Sequence, residues 1–255
     1  MNFDYVTNPS DGIGDCLSCF NTNRPIFSPS PHYATLRQYS SIPSLGAPGS
    51  APLRTNELQE QDYAGEHLFN RVRIASGLEP LAEPRAQLDL ITYAPVSTFI
   101  AFSFDVGRFA PQQTHLHPRP RVLYDEHRVT VQEFINKHSD KYNFVEVGQR
   151  SFGFANTINK TNISLDDTIK VLRRCDHYFG MHSGLMHLAT AIGIPSTIII
   201  NFPTVAQLTT QSTVFDANDK FEQEKTWLYP QHRYLHEDET SGDYAITVAN
   251  LESML

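Results

Sequence analysis

A chain of 255 residues, 40% hydrophobic and 19% charged, has room for a sizeable core, as one domain or as two small ones. A net charge of −8 excludes binding to nucleic acid or an anionic membrane through a basic stripe, and no apolar run approaches the roughly 18 residues of a membrane span. The opening MNFDYVTNPSDG lacks the basic and apolar regions of a secretory leader, and three cysteines suit a reducing compartment better than a disulfide framework, so the expected location is cytoplasmic.

Phe3–Thr7 is β-prone and runs into a turn-rich loop, Asn8 to Asp15, holding Gly12 and Gly14. The helix candidate Cys16–Phe20 follows. Strand, glycine loop and helix in that order open many nucleotide-binding half-domains. Asp15, placed where this helix begins, also suits a capping role. Cys16 and Cys19 form a C-x-x-C, but a zinc site needs four ligands and no second pair exists. With Phe20 they fall at helical spacing and read as packing residues. Arg24–Ser28 is a second short strand. The run from Tyr39 to Pro52, rich in Ser, Pro and Gly, reads as an aperiodic loop. Asp62–Ser76 reads as a helix closed by Gly77, and Leu88–Tyr93 as a strand.

Ala94–Ser97 is the expected hinge, and the apolar strand Thr98–Asp105 opens a second half. The loop Val106–Pro120 holds Arg108, His115, His117 and Arg119, with Arg121 just beyond. His-x-His in such a Pro-rich setting reads as surface rather than as a metal pair. Thr130–Lys141 is amphipathic and helical, Asn143–Val147 is a strand, and Gly148-Gln149-Arg150 ends it where a nucleotide base would sit.

The stretch from Asp176 to Pro203 reads as a βαβ unit. His177–Phe179 is a short strand, Gly180 a sharp turn, and Ser183 an N-cap whose hydroxyl accepts from a first-turn amide. Leu185, Leu188, Ala189 and Ile192 recur at helical spacing. Gly193 supplies a left-handed C′ position, Pro195 stops any continuation, and Thr197–Ile200 is a strand covered on both faces. A helix starting directly after a glycine-flanked turn favours a phosphate, although the dipole alone contributes only about 0.3–1 kcal/mol. The same pattern serves an ordinary crossover helix, and it is neither a Walker loop nor a GxGxxG turn. Beyond Pro203, the Trp227 and Tyr229 pair beside Lys225 suits either a cleft wall or core packing. His232, His236 and Glu237 lie in a charged stretch that reads as solvated rather than metal-binding. Tyr244–Leu255 reads as a closing helix.

Gly180, Ser183, Gly184, His187, Leu188, Ala189 and Ala191 stand in the places of a signature, G-x-D-[ST]-G-x-x-H-[LI]-A-[AG]-A, and on these residues the chain resembles the heptosyltransferase family (glycosyltransferase family 9). The segment from Asn162 through Asp176 resembles the helix before that signature. Glu66–Arg71 resembles the family's "eH.v.r" helix, and Gly12-Ile13-Gly14-Asp15 its N-terminal G-x-[LI]-G-D loop. One departure stands out: His182 replaces the family's acidic residue, so no carboxylate is supplied there.

The resemblance implies an α/β, GT-B-like fold, two Rossmann-like halves with parallel sheets facing a cleft, the N-terminal half reduced. Residues 1–95 would form the acceptor side and 96–243 the nucleotide-sugar side, with 244–255 as closing helix. It implies a metal-independent, inverting transfer of a heptose-like or other hexose sugar from a nucleotide-diphosphate sugar to a saccharide or glycolipid hydroxyl. Lipopolysaccharide or glycan biosynthesis, no cofactor beyond the donor, and peripheral membrane association go with it. Asp15 would be the general base, and Gly12 and Gly14 would shape its loop. His182, Ser183, Gly184, Leu185 and His187, with one of Arg108, Arg119 and Arg121, would hold the donor, a structural hydrogen bond suiting His187 equally well. The short first half and His182 also suit a non-catalytic nucleotide-sugar binder, or a nucleotide-sugar hydrolase or epimerase.

Overall fold

The apolar runs of the second half become six parallel strands. The computed structural model describes residues 4–6, 12–22, 24–43, 46–47, 52–54, 66–86, 88–90, 98–104, 123, 125–201, 229–237 and 246–255. The strands are β4 (Phe99–Ser103), β5 (Asn143–Gly148), β6 (Thr157–Thr161), β7 (His177–Met181), β8 (Ser196–Asn201) and β9 (Arg233–Glu237). They lie side by side as β6-β5-β4-β7-β8-β9, every pairing parallel. In order of appearance this is the 3-2-1-4-5-6 arrangement of a doubly wound fold, and the direction of travel reverses between β4 and β7.

Alternation along the strands sorts their side chains onto two faces. Ile100, Phe102, Phe144, Phe179, Met181, Ile199 and Leu235 join one cluster, packed beneath α4 (Asp125–His138) and α7 (Val248–Glu252). Ala101, Val145, Val147, Tyr178 and Ile198 join another, beneath α5 (Leu165–Leu172) and α6 (Gly184–Ile192). The closing helix therefore packs on the second half's own sheet, and Glu252 bridges Lys137 and His138 of α4 at 2.6 and 2.8 Å.

The described first half is small. A three-stranded parallel sheet, β2-β1-β3, is formed by β1 (Asp4–Val6), β2 (Ile26–Phe27) and β3 (Pro52–Arg54). With it come α1 (Ile13–Cys19), α2 (Pro31–Leu36) and α3 (Leu68–Ala75). The hinge expected at 94–97 and the boundaries at 95 and 243 lie outside the described residues. What joins the halves is a shared core: Cys16, Leu17, Phe20, Leu36, Phe69 and Val72 of the first half belong to the same cluster as Leu172, Met186 and Leu188 of the second. Helix α6 thus lies between the large sheet and the first half's helices. Every residue from Leu185 to Ile192 is buried, which is why its sequence is apolar all round instead of along one stripe.

Several expectations are corrected by these elements. Strand β3 begins at Pro52, where the stretch read as an aperiodic loop ends, and α2 precedes that stretch, started by Pro31 directly after Ser30, as an N1 proline favours. Leu88–Leu90 is not strand. Gly180 is not a turn residue; it sits inside β7, opposite Ser103. A Cβ there would lie 2.1 Å from the Ser103 carbonyl oxygen, so the glycine is required by close strand approach. The charged stretch at 233–237 is strand β9, and His232 before it is buried.

Candidate functional site

In a doubly wound sheet a ligand binds outside the carboxyl ends of the strands at the point of reversal. Here those ends are Ser103–Phe104 after β4 and His182–Ser183 after β7. The chain leaving β4 enters the segment holding Arg108, Arg119 and Arg121, all three outside the described residues. The chain leaving β7 turns directly into α6.

Ser183 occupies the N-cap position of α6 with extended backbone (φ −156°, ψ 176°). The expected cap bond is absent: the Ser183 hydroxyl is buried and makes no well-formed hydrogen bond to a described residue, with the Tyr178 hydroxyl close by. The Ser183 carbonyl already accepts from Met186 and His187. The first-turn N–H groups of Gly184 and Leu185 precede any intrahelical acceptor, as at every helix start. At its other end α6 stops where expected, with Gly193 left-handed at φ 85°.

The glycine loop of the first half packs against this start. A Cβ on Gly184 would lie 3.0 Å from Ile13 Cβ and 3.6 Å from the Gly14 nitrogen. Gly12 caps α1, and the Asp15 carboxylate, in the first turn, accepts from the Gly12 N–H at 3.0 Å. Asp15 therefore does the capping work that its position suggests, reaching back from the third helical residue, where its charge also complements the helix dipole. Gly12 is exposed and Ile13, Asp15 and Gly184 are half-buried, whereas His182, Ser183, Leu185 and His187 are buried. Among the described residues of this junction, the surface left open is thus made by Gly12, Ile13, Asp15 and Gly184.

His187, expected to help hold the donor, projects from α6 toward the first half. Its Nδ1 shares a 2.5 Å hydrogen bond with the Tyr229 hydroxyl. Its ring stacks on Phe69 at 5.7 Å and 20°, and its edge abuts Gly14, where a Cβ would sit 2.6 Å from Cδ2. His182 lies 5.9 Å away, edge to face. Tyr229, read from sequence as cleft wall or packing, is wholly buried and packs between His187, His67, Phe69 and His232. Behind it, Thr190 and His232 share a 2.6 Å hydrogen bond. Burial and the nearby His177 push His232 down to about 4, and burial with Arg233 does the same to His177. Sequence reading missed this His–Tyr cluster. Its one signal was a pair of polar residues, His187 and Thr190, inside an otherwise apolar helix. Cys16 and Cys19 are buried, and among the described residues no group of His, Cys, Asp and Glu is arranged to hold a metal ion.

A reversing parallel sheet with a helix start at its switch point defines a doubly wound α/β fold. No family model matches the chain, and no curated protein does. Solved structures do match. E. coli heptosyltransferase WaaC with ADP shares 10% identity and a TM-score of 0.59 over 98% of this chain and 96% of its own. The glycosyl transferase family 9 protein from Veillonella parvula DSM 2008 gives 9% and 0.57 over 98% and 94%. The iron-containing dodecameric glycosyltransferase TibC from enterotoxigenic E. coli H10407 gives 18% and 0.52, and the match spans 77% of this chain but only 57% of TibC. At these identities the likeness is one of fold. The chain has the GT-B architecture of the heptosyltransferases, and no described helix is long and apolar enough to cross a membrane.

Proposed function

We propose that this protein is a heptosyltransferase-like glycosyltransferase, moving a heptose-like or other hexose sugar from a nucleotide-diphosphate sugar to a saccharide or glycolipid hydroxyl. The observation that carries the reading is the meeting of two turns. The Asp15-bearing loop lies against the start of α6, where the buried Ser183 hydroxyl makes no well-formed hydrogen bond to a described residue. A buried hydroxyl without a hydrogen bond costs about 1–3 kcal/mol, a cost that a phosphate oxygen beside Ser183 relieves. The shared fold supports the same donor class, since WaaC is described with ADP.

The chemistry then divides between the two turns. The acceptor hydroxyl passes its proton to the Asp15 carboxylate as its oxygen bonds to the anomeric carbon. The bond from that carbon to the diphosphate breaks on the opposite face, so configuration inverts. The leaving diphosphate meets the Gly184 and Leu185 N–H groups, the positive end of α6 and an arginine from among Arg108, Arg119 and Arg121. Fixed donors aimed at developing charge are a major source of rate enhancement, and on this reading no metal is needed.

Asp15→Asn is the test, because asparagine keeps an oxygen for the Gly12 N–H but cannot take a proton. Against a panel of ADP-, UDP- and GDP-sugars with oligosaccharide acceptors, the variant is expected to bind donor within a few-fold of wild type and to lose about 10²–10⁴ in turnover. Undiminished turnover removes the base assignment. A second reading, a nucleotide-sugar binder without turnover, is favoured by the core that the two halves share. Wild-type binding without transfer or hydrolysis would establish it.

A further inference from the structure

The reading above leaves His187 without a chemical task, and the structure gives it a mechanical one. Among the described residues, the imidazole touches the first half in at least two places. Its edge lies on Gly14, the residue before Asp15, and its face lies on Phe69 of α3. The Phe69 carbonyl accepts a 2.6 Å hydrogen bond from the Asn21 side chain, just past the end of α1. Helix α1 is therefore held at its start by His187 directly and at its finish through Phe69. The ring itself is fixed by Tyr229, whose hydroxyl bonds Nδ1 and whose carbonyl accepts from the Tyr234 hydroxyl at 2.8 Å. Tyr234 belongs to β9, paired with β8 of the large sheet.

We propose that His187 is a positioning residue, which with Tyr229 and Phe69 sets the Asp15-bearing turn against the start of α6 and does not itself contact the donor. The inference rests on the glycosyl-transfer reading for its kinetic consequence only. The physical link from Tyr229 through His187 to Gly14 stands apart from it. An imidazole suits the place because it offers a flat face to Phe69, a thin edge to a glycine and a ring nitrogen to a hydroxyl. A residue at this point need only shift Asp15 by a fraction of an ångström to change the rate, since small misplacements of a catalytic group cost up to about 100-fold.

Tyr229→Phe is the decisive variant, as it keeps the ring and deletes only the oxygen bonded to His187. His187→Asn serves as the second. Amide hydrogen exchange is measured on the full-length protein, together with steady-state kinetics on the best donor of the nucleotide-sugar panel. Exchange at Ile13–Cys16 is expected to rise about tenfold in both variants while β4 and β5 stay protected. The kcat is expected to fall about 10- to 100-fold with the donor KM within twofold. A raised donor KM with unchanged kcat and unchanged exchange overturns the proposal, because His187 would then be a donor contact. Unchanged exchange with unchanged kinetics also overturns it. If wild type turns over no nucleotide sugar, the transferase reading fails, and the exchange result still decides whether Tyr229 and His187 hold the Asp15 turn.

Discussion

Replacing Gly180 by alanine tests the geometry that places the switch point. A Cβ at this position would lie 2.1 Å from the Ser103 carbonyl oxygen, 3.1 Å from its carbonyl carbon and 2.9 Å from the Tyr178 hydroxyl. The nearest atom is backbone in the neighbouring central strand, so no rotamer change relieves the contact. Relief requires β4 and β7 to separate by roughly 1 Å, which disturbs the stacking of Phe102 on Phe179 at 5.3 Å. Overpacking of a core typically costs about 1–3 kcal/mol, and a backbone clash in mid-sheet belongs at the top of that range. Alanine recovers about 0.5–1 kcal/mol of the conformational entropy that glycine loses on folding, leaving a net loss near 2 kcal/mol. For a chain of this size each kcal/mol moves Tm by about 2–4 °C, so the expected drop is about 4–8 °C by calorimetry. Gly12→Ala is the internal control, since among the described residues its Cβ meets only Asp15 Oδ2, at an ordinary 3.6 Å. A Gly180→Ala protein melting within about 1 °C of wild type would refute the close-approach argument.

Acid lability should follow from the buried histidines. His177 and His232 are lowered from 6.5 to about 4, chiefly by burial. The unfolded chain therefore takes up protons near pH 6.5 while the folded chain does not. Their contribution is complete above about pH 6.5 and is lost as pH falls toward 4, on the order of 3 kcal/mol for each ring taken alone. Asp166 and Glu252 are held below the usual carboxylate range by Lys170 and Lys137. Urea unfolding between pH 7.5 and 4.5 should show the loss, and His177→Gln should flatten it; an equally steep profile in that variant contradicts the assignment. The three cysteines, all buried, should resist Ellman's reagent in the native state and react together on unfolding. Burial also pushes Cys175 up to about 12, leaving almost no thiolate at pH 8. Rapid labelling of native protein would place at least one thiol at the surface.

Elements whose cause is local were the ones legible beforehand. Strands β4, β5, β7 and β8 are short runs of apolar and β-branched residues, and α6 ends at Gly193 because a left-handed residue is needed there. Strands β6 and β9 were not legible. TINKT is a polar, largely exposed edge strand, and among the described residues RYLHE pairs with β8 alone, so neither carries an apolar pattern against which strand could be read. The candidate site divided the same way. Gly12, Gly14, Asp15, Ser183 and Gly184 were identified as two turns, and the fold does bring those turns into contact.

The partners of the buried polar groups were the hidden part. His187 meets a hydroxyl 42 residues away and rings from a different half of the chain, and no periodicity records such a pairing. Local chemistry decides where a helix starts, where a glycine permits a turn and which runs are apolar enough for a covered strand, because those effects act within a few residues. Which imidazole is stacked, which serine is left without its cap bond and which glycine stands against a carbonyl depend on surfaces that meet only when the chain has closed on itself. Those contacts belong to the tertiary structure alone.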